Sequence, residues 1–506
     1  MKIIDLSKNQ VEVSQNLLSR KENDCVHLAP VTDRSIFAGA KVSRLDSGLG
    51  EMGEINRSIY ENLAILRQRS RQLAMDDCHI TKFLNMAVQE TIGPKGLKLS
   101  SQGPDPEANK IIEELYAEWS LDCCTSGDMS LLDFEQLEVR TRHCDGEFFA
   151  RIVEKFKDNK FKFALFPFDA DRLELGFDCM PRPDGSYIRN SIEYDKWGRP
   201  AAYHILERHP GDNVARWPDG RFRMRIPANE IVHFFEPLRP GQGRGIPSTH
   251  AAIVNAKHLN AYVKATIVAC RVISSKFAAI TSKEADPFNT PQHGTPDPNK
   301  GEIINKVEPG RIFRLRPGES LDVFDPKQPS GQFGPFVTAI LQGYASALGV
   351  TYASLSGDLT KTSFASGRLG ALEVQDYWTL RRTNFINRSK LKIFKRWLTW
   401  AYLTQDRLYN VIGPNEVELY ANSAVVYDKP VVWVDPEAMS KVVERNLGTG
   451  VTSLHKELAE LNINYDDHIE ELKKEAADLK GLNLGGKSKN EKKTKLDVIE
   501  NSRDVG

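Results

Sequence analysis

The sequence predicts an α+β chain, and three observations carry that prediction. From Arg368 to Val411 there is one interior Gly and no Pro. Apolar residues recur there at helical spacing, as in Phe394, Leu398 and Tyr402 or Ile386, Ile393, Trp397 and Ala401. Such a helix is a rod of roughly 60 Å, longer than a compact domain needs. Second, residues 136–235 read as antiparallel strands inside an otherwise helical chain. Third, a small Pro- and Gly-rich insertion, Glu284 to Pro335, interrupts a pair of mid-chain helices.

Residues 1–35 are polar without sustained periodicity and predict a weakly ordered arm. A helix is expected from Glu54 to Thr91, carried by Leu63, Leu66, Leu73, Ile80, Phe83, Leu84, Ala87 and Val88 and stopped by Gly93-Pro94-Lys95-Gly96. A shorter one follows from Glu107 to Trp119. Leu137-Glu138-Val139-Arg140 and the run Phe148 to Val153 flank Asp145-Gly146, a two-residue hairpin signal. Ser191 to Tyr194 and Ala202 to Leu206 flank a second turn, Asp195 to Pro200.

The glycines of Gly241-Gln242-Gly243-Arg244-Gly245 read as a hinge into a helix ending near Ser275. Short strands are expected at Glu302 to Lys306, Arg311 to Leu315 and Leu321 to Phe324, then a helix from Phe336 to about Tyr352. A hydroxyl-rich loop, Ser356 to Gly367, leads into the long rod, with Gly357 and Gly367 as its hinges. Beyond Gly413, Asp435 is placed to cap a helix opening at Pro436. Another helix runs from Ser453 to about Leu479, and the Gly-, Asn-, Lys- and Ser-rich tail from Gly481 predicts disorder.

At 506 residues the chain exceeds a single core, which implies two to four structural units. Lys+Arg and Asp+Glu both total 68, so the formal net charge is zero. A protein whose main task is gripping nucleic acid carries a basic excess, and this one does not. The seven scattered cysteines fit a reducing compartment, and Met1 to Gln10 lack a signal-peptide pattern, so synthesis is read as cytosolic. The charge-free stretch Gln328 to Gly357 carries too many Gln, Ser and Gly residues for a membrane span.

Other chemistry is weakly supported. The glycines before the mid-chain helix lack the Gly-Lys-Ser/Thr of a phosphate-binding loop. Cys123-Cys124 with His143-Cys144 supplies zinc-ligand types at an awkward spacing. Asp169, Asp171 and Glu174 read as a solvated loop, and Asp466, Asp467, Glu470 and Glu471 as an exposed helix face. The aromatic run Trp378, Phe385, Phe394, Trp397, Trp400 and Tyr402 reads as a core or intersubunit face rather than a base-stacking platform. No motif supports catalysis, and no cofactor or metal is expected.

The ordered set of local sequences resembles the lambda-type family of tailed-bacteriophage portal proteins, from Arg67 to about Leu479. The resemblance is carried by Leu66 to Leu73, Thr91-Ile92-Gly93, Gly146 to Phe149, Ile192 to Tyr203, His209-Pro210-Gly211, Arg239 to Gly245, Leu355 to Asp358, Ser363 to Arg368 and Trp433 to Pro436. It implies a homo-oligomeric ring, usually of twelve subunits, at one capsid vertex, through which double-stranded DNA is pumped in by terminase and later leaves. The wing would be 36–247, the stem helices 248–275 and 336–355, and the clip 276–335. Residues 356–367 would form the tunnel loop, 368–412 a spine helix, 413–480 a C-terminal wing or crown region and 481–506 a disordered tail. Asp358, Thr360, Lys361, Thr362, Ser363 and Arg368 would then face DNA in the channel. Partners would include the terminase large subunit, major capsid and scaffold proteins, and head-completion proteins. The alternatives are a DNA-processing enzyme subunit of the packaging machinery, or a monomeric adaptor.

Overall fold

A computed structural model describes residues 53–212, 222–274, 278–282, 295–296, 303–304, 319–323, 333–360, 363–427, 436–461 and 465–481. The arm at 1–35, the strand expected at Arg311 to Leu315, most of the mid-chain insertion, Lys361, Thr362, Asp435 and the tail beyond Gly481 lie outside them.

The helix expected from Glu54 to Thr91 is two helices, α1 (Ile55–Asp76) and α2 (Cys78–Thr91). Asp77 divides them because its carboxylate accepts from the amides of His79 and Ile80 and so caps α2. Next come β1 (Leu99–Ser100), α3 (Pro106–Ser120) and α4 (Leu131–Asp145). The hairpin expected across Asp145-Gly146 is therefore not formed, since Leu137 to Arg140 lie inside α4. Ser130 and Asp133 close a capping box at its start, and Gly146 ends it at φ 93°. An Asp-Gly pair serves a hairpin turn or a helix C-cap equally, because both need a left-handed glycine. The buried face of α4 carries Glu135, Glu138, Arg142 and His143, so no apolar stripe announces the helix.

After Gly146 the chain enters β2 (Glu147–Glu154), which pairs antiparallel with β3 (Phe163–Phe168) on one side and β8 (Ile231–Phe235) on the other. Between them β4 (Tyr187–Arg189), β5 (Ile192–Tyr194), β6 (Pro200–Leu206) and β7 (Arg223–Pro227) form a four-stranded meander in that order. The alternation of β2 separates two cores. Phe148, Ala150 and Ile152 face the cluster holding Trp119, Phe134 and Trp397, while Phe149 packs with Ile192, Tyr203, Ile205 and Ile226 of the meander. Each buried Phe or Ile contributes roughly 1.5–3 kcal/mol through area removed from water.

The remaining elements include α5 (Ile253–Ser274), short strands β9 (Ala278–Ser282), β10 (Thr295–Pro296), β11 (Ile303–Ile304) and β12 (Glu319–Val323), α6 (Phe333–Leu348) and α7 (Tyr352–Ser356). β9 pairs with β12, and β10 with β11. The long helix begins earlier and ends earlier than its pattern suggests. It comprises α8 (Phe364–Phe385), a π-helical turn (Ile386–Lys390) and α9 (Leu391–Thr404), about 60 Å in all. Ser363 and Ser366 form the capping box that starts it, and Gln405, in extended conformation, ends it. Trp378, Phe385, Phe394, Trp397 and Tyr402 are buried, so this aromatic run is core. Helices Pro436–Thr449, Leu454–Glu460 and Tyr465–Gly481 follow, the last two in place of the single helix expected from Ser453 to Leu479.

A buried ion cluster fixes where α1, β2 and the glycine-rich segment meet. Glu147 accepts from Arg67 Nη2 at 2.7 Å, Arg244 Nε at 2.9 Å and the Gly245 amide at 3.0 Å, and its Oε2 lies 3.2 Å from His233 Nε2. Arg67 also donates to Asp171, and Arg71 bridges Asp145, Asp169 and Asp171. Asp169 and Asp171, expected in a solvated loop, thus belong to this network. Burial alone would raise the Glu147 carboxyl, but Arg244, His233 and Arg67 hold it well below the usual carboxylate range. A second buried group lies at the π-helical turn, where Lys390 Nζ donates to Glu135 at 2.6 Å. The adjacent Glu138 is fully buried, with Ser389 beside it. Burial, with Glu135 beside it, pushes the Glu138 carboxyl up to about 8.

The two carboxyls give opposite pH signatures. The stabilisation by Glu147 is present above its ordinary value of 4.5 and disappears only in strong acid. Glu147→Gln should therefore cost about 3–5 kcal/mol, by a nearly constant amount from pH 5 to 8, because it leaves two guanidiniums buried without their counter-charge. The Glu138 carboxyl folds protonated, so its contribution is full below 4.5 and is lost as pH rises through about 8. Relative to Glu138→Gln, the wild type should lose on the order of 2–4 kcal/mol between pH 5 and 8. Urea denaturation at three pH values reads both. Parallel wild-type and Glu138→Gln curves would show that this carboxyl is ionised in the fold.

Candidate functional site

The two mid-chain helices are held at one end by a single buried carboxylate. Asp77, already capping α2, accepts from Asn260 Nδ2 of α5 at 2.9 Å and from Tyr344 Oη of α6 at 3.2 Å. Burial, with Asp77 next, raises the Tyr344 phenol well above its ordinary value, so it stays a donor. Around this contact Ala252, just before α5, Ala256 and Leu259 of α5, and Leu341, Ala345 and Leu348 of α6 share one core with Ile80, Phe83 and Leu84. Farther along, the helices leave the core, and Tyr262 stacks on Phe333 and meets Phe336 edge-on. Ile267, Val268 and Phe336 are exposed there.

The loop is shorter than the sequence suggests. Thr351 caps α7, and Gly357 ends it in the left-handed region, its amide donating to Ala353 O. Asp358 Oδ1 accepts from the Thr360 amide at 3.0 Å, and Oδ2 accepts from Tyr352 Oη at 3.2 Å. Ser363 caps α8, so only five residues of sequence separate the cap at Gly357 from the cap at Ser363. Gly367 sits in the first turns of α8, donating to Ser363 O, rather than in a loop hinge. Arg368 lies on α8 and is exposed, as is Thr360.

The other expected hinge is packed rather than free. A Cβ on Gly245 would come within 2.0 Å of Gly146 O, and one on Gly243 within 2.3 Å of Tyr194 Oη. Gly241 adopts φ 78°. The Gly243 amide donates to Asn56, and Arg244 is fully buried, reaching Glu147 and the carbonyls of Leu173, Asn190 and Ala170. The glycines are required for close backbone approach, and they fix the entry to α5.

Arg67, Glu147 and Arg244 lie within local sequences that carry the resemblance, but nothing in those sequences marks them as partners, and Asp77 lies in none of them. The available signal is positional: in α1 the buried set Ile59, Leu63, Arg67 and Ser70 puts an arginine on the inward face. Asp169, Asp171 and His209 bring three possible metal-ligand atoms within 4.8 Å. Arg67 and Arg71 already bind both carboxylates, which removes the negative charge that a cation would need. Cys123 and Cys124 pack in the core beside Trp119, whereas His143 bonds Arg142 and Ser248, so each has a structural role. Among the described residues no helix is long and apolar enough to cross a membrane.

Comparison with known proteins agrees with the sequence resemblance. Residues 44–382 match the family described as "Phage portal protein, lambda family". A probable portal protein of Halomonas phage phiHAP-1 is 30% identical over 354 residues, 68% of each chain. The portal protein of Escherichia phage N15 and portal protein B of Escherichia phage lambda are 23% and 22% identical over 243 residues, 43% of this chain and 44% of theirs. Among solved structures, the neck of a native GTA particle computed with C12 symmetry has a TM-score of 0.41 at 13% identity, covering 78% of this chain and 93% of that one. The virion of a native gene transfer agent particle gives 0.42 at 13% identity, covering 79% and 93%. Likeness at that distance adds nothing to the sequence match. With two thirds of its length matched to one family model, the chain belongs to the lambda family of phage portal proteins.

Proposed function

We propose that this portal protein assembles into a closed ring of twelve copies at one vertex of the capsid, and that the ring is the route by which double-stranded DNA enters and leaves. Its work is geometric. Terminase supplies the ATP chemistry during packaging, and head-completion proteins bind afterwards. Major capsid and scaffold proteins surround the ring, which assembles in the host cytoplasm and ends in the virion. In this reading α5 and α6 are the stem, the strands between them belong to the clip, and the two sheets with α1 to α4 form the wing. The long helix is the spine, and the segment from Gly357 to Ser363 is the tunnel loop.

One observation carries the reading. A short segment carrying hydroxyls separates α7 from the long helix; the helices on either side are capped, and Leu359 and Thr360 within it are exposed. Hydroxyls make short-lived hydrogen bonds to phosphates, which suits contact with a sliding polymer. A neutral chain supports the same end, because each cation facing the axis is multiplied by the subunit number and would hold DNA fast.

Charge at Lys361 tests the loop's position. Lys361→Ala removes one weak phosphate contact per subunit and should lower DNA retention by less than about twofold. Lys361→Glu places a ring of negative charge against DNA; at roughly 1 kcal/mol per close contact in water, summed over subunits, it should lower retention by about tenfold or more. Particle yield and packaged DNA are measured together, with ring formation unchanged in both variants. If both retain DNA like wild type, the loop does not line the channel.

A further inference from the structure

We propose that the open groove on the outer side of α2 is the seat for the loop tip of a neighbouring copy of this chain. The inference rests on the ring reading above and deepens it by assigning the two surfaces that meet. The groove encloses about 530 Å³ between the end of α1 and the exposed face of α2. Met75, Cys78 and Met86 line it with apolar surface, and Asp76, Lys82 and Asn85 supply its polar rim. Its floor is uncovered, Met75 being 85% exposed.

The matching knob is Leu359, an apolar side chain held out at the loop tip and 68% exposed. The turn that presents it is held by Asp358, which accepts from the Thr360 amide through one oxygen and from Tyr352 Oη through the other. Leu359 and Met75 are both exposed in one chain, so the loop does not fill its own groove. A copy placed by rotation can. In a ring the contacts are heterologous, with one surface giving and a different one receiving.

The groove also lies where the loop begins. Lys82 Nζ is 3.3 Å from the position a Cβ on Gly357 would take, so rim and loop root share one level of the molecule. Asp358, beside Leu359 on the incoming loop, carries the charge opposite to that of Lys82 on the rim. Methionine suits a seat whose occupant shifts as DNA passes, since its unbranched thioether repacks without leaving a fixed cavity. A Leu359 side chain seated between Met75 and Met86 links successive loops around the ring.

A native thiol makes the seat testable. Cys78 is exposed and lines the groove. Leu359→Cys in the full-length chain, treated with a short bis-maleimide, should give a ladder of covalent multimers on a denaturing gel. Cys78→Ser in the same chain should abolish it. The mass of the untreated particle is measured in parallel. A ring that gives no ladder, or a cross-link confined to single chains, overturns the seat while leaving the ring reading intact. Monomer at every concentration overturns the ring reading, and the seat with it.

Discussion

The arrangement depends on Glu147, which lies buried with two guanidiniums, an imidazole and a backbone amide around one carboxylate. Through it, α1, the first residue of β2, β8 and the segment leading to α5 are brought to one point. An unpaired buried charge costs several kcal/mol, so each partner is required by the others. The neighbouring contacts continue the constraint: the Ser248 amide donates to His143 O, and Thr249 Oγ1 lies 2.7 Å from Ser70 Oγ. The entry to α5 is thereby locked to the sheet and to α1. Asp77 then ties α5 and α6 to the junction of α1 and α2.

Much of the fold was legible because periodicity and end signals agreed. The meander around Asp195 to Pro200, the stem helices and the long helix follow from alternation, spacing and breakers. The errors have physical causes. Asp145-Gly146 fits two motifs that share a left-handed glycine, and the polar inward face of α4 hid its helical period. Asp77 looked like an ordinary helical residue, since its partners Asn260 and Tyr344 lie far along the sequence. The start of α8 moved to Phe364 because two serines three residues apart make a capping box, a signal present in the sequence but read as loop chemistry. Flexibility was inferred from the glycines at 241, 243 and 245, but close packing explains them.

The site itself was legible in part. The loop was found from its hydroxyls and its position before the rod, and the described residues Asp358, Thr360, Ser363 and Arg368 lie at or beside it. Their local contacts differ. Asp358 and Ser363 shape the backbone, one through a local turn and the other as a helix cap, whereas Thr360 and Arg368 are exposed. The ion cluster that holds the stem went unread, because Arg67, Glu147 and Arg244 meet only after folding. Leu369, Leu372 and Leu380 of the long helix, with Val254, Ile267 and Val268 of α5, are exposed apolar side chains.

The most direct measurement of the central claim is native mass determination of the purified full-length chain over a concentration series, paired with end-on electron-microscope views. The ring account predicts one closed oligomer at an integer multiple of the chain mass, with a central opening wide enough for duplex DNA. Monomer throughout, or open filaments of indefinite length, would contradict it.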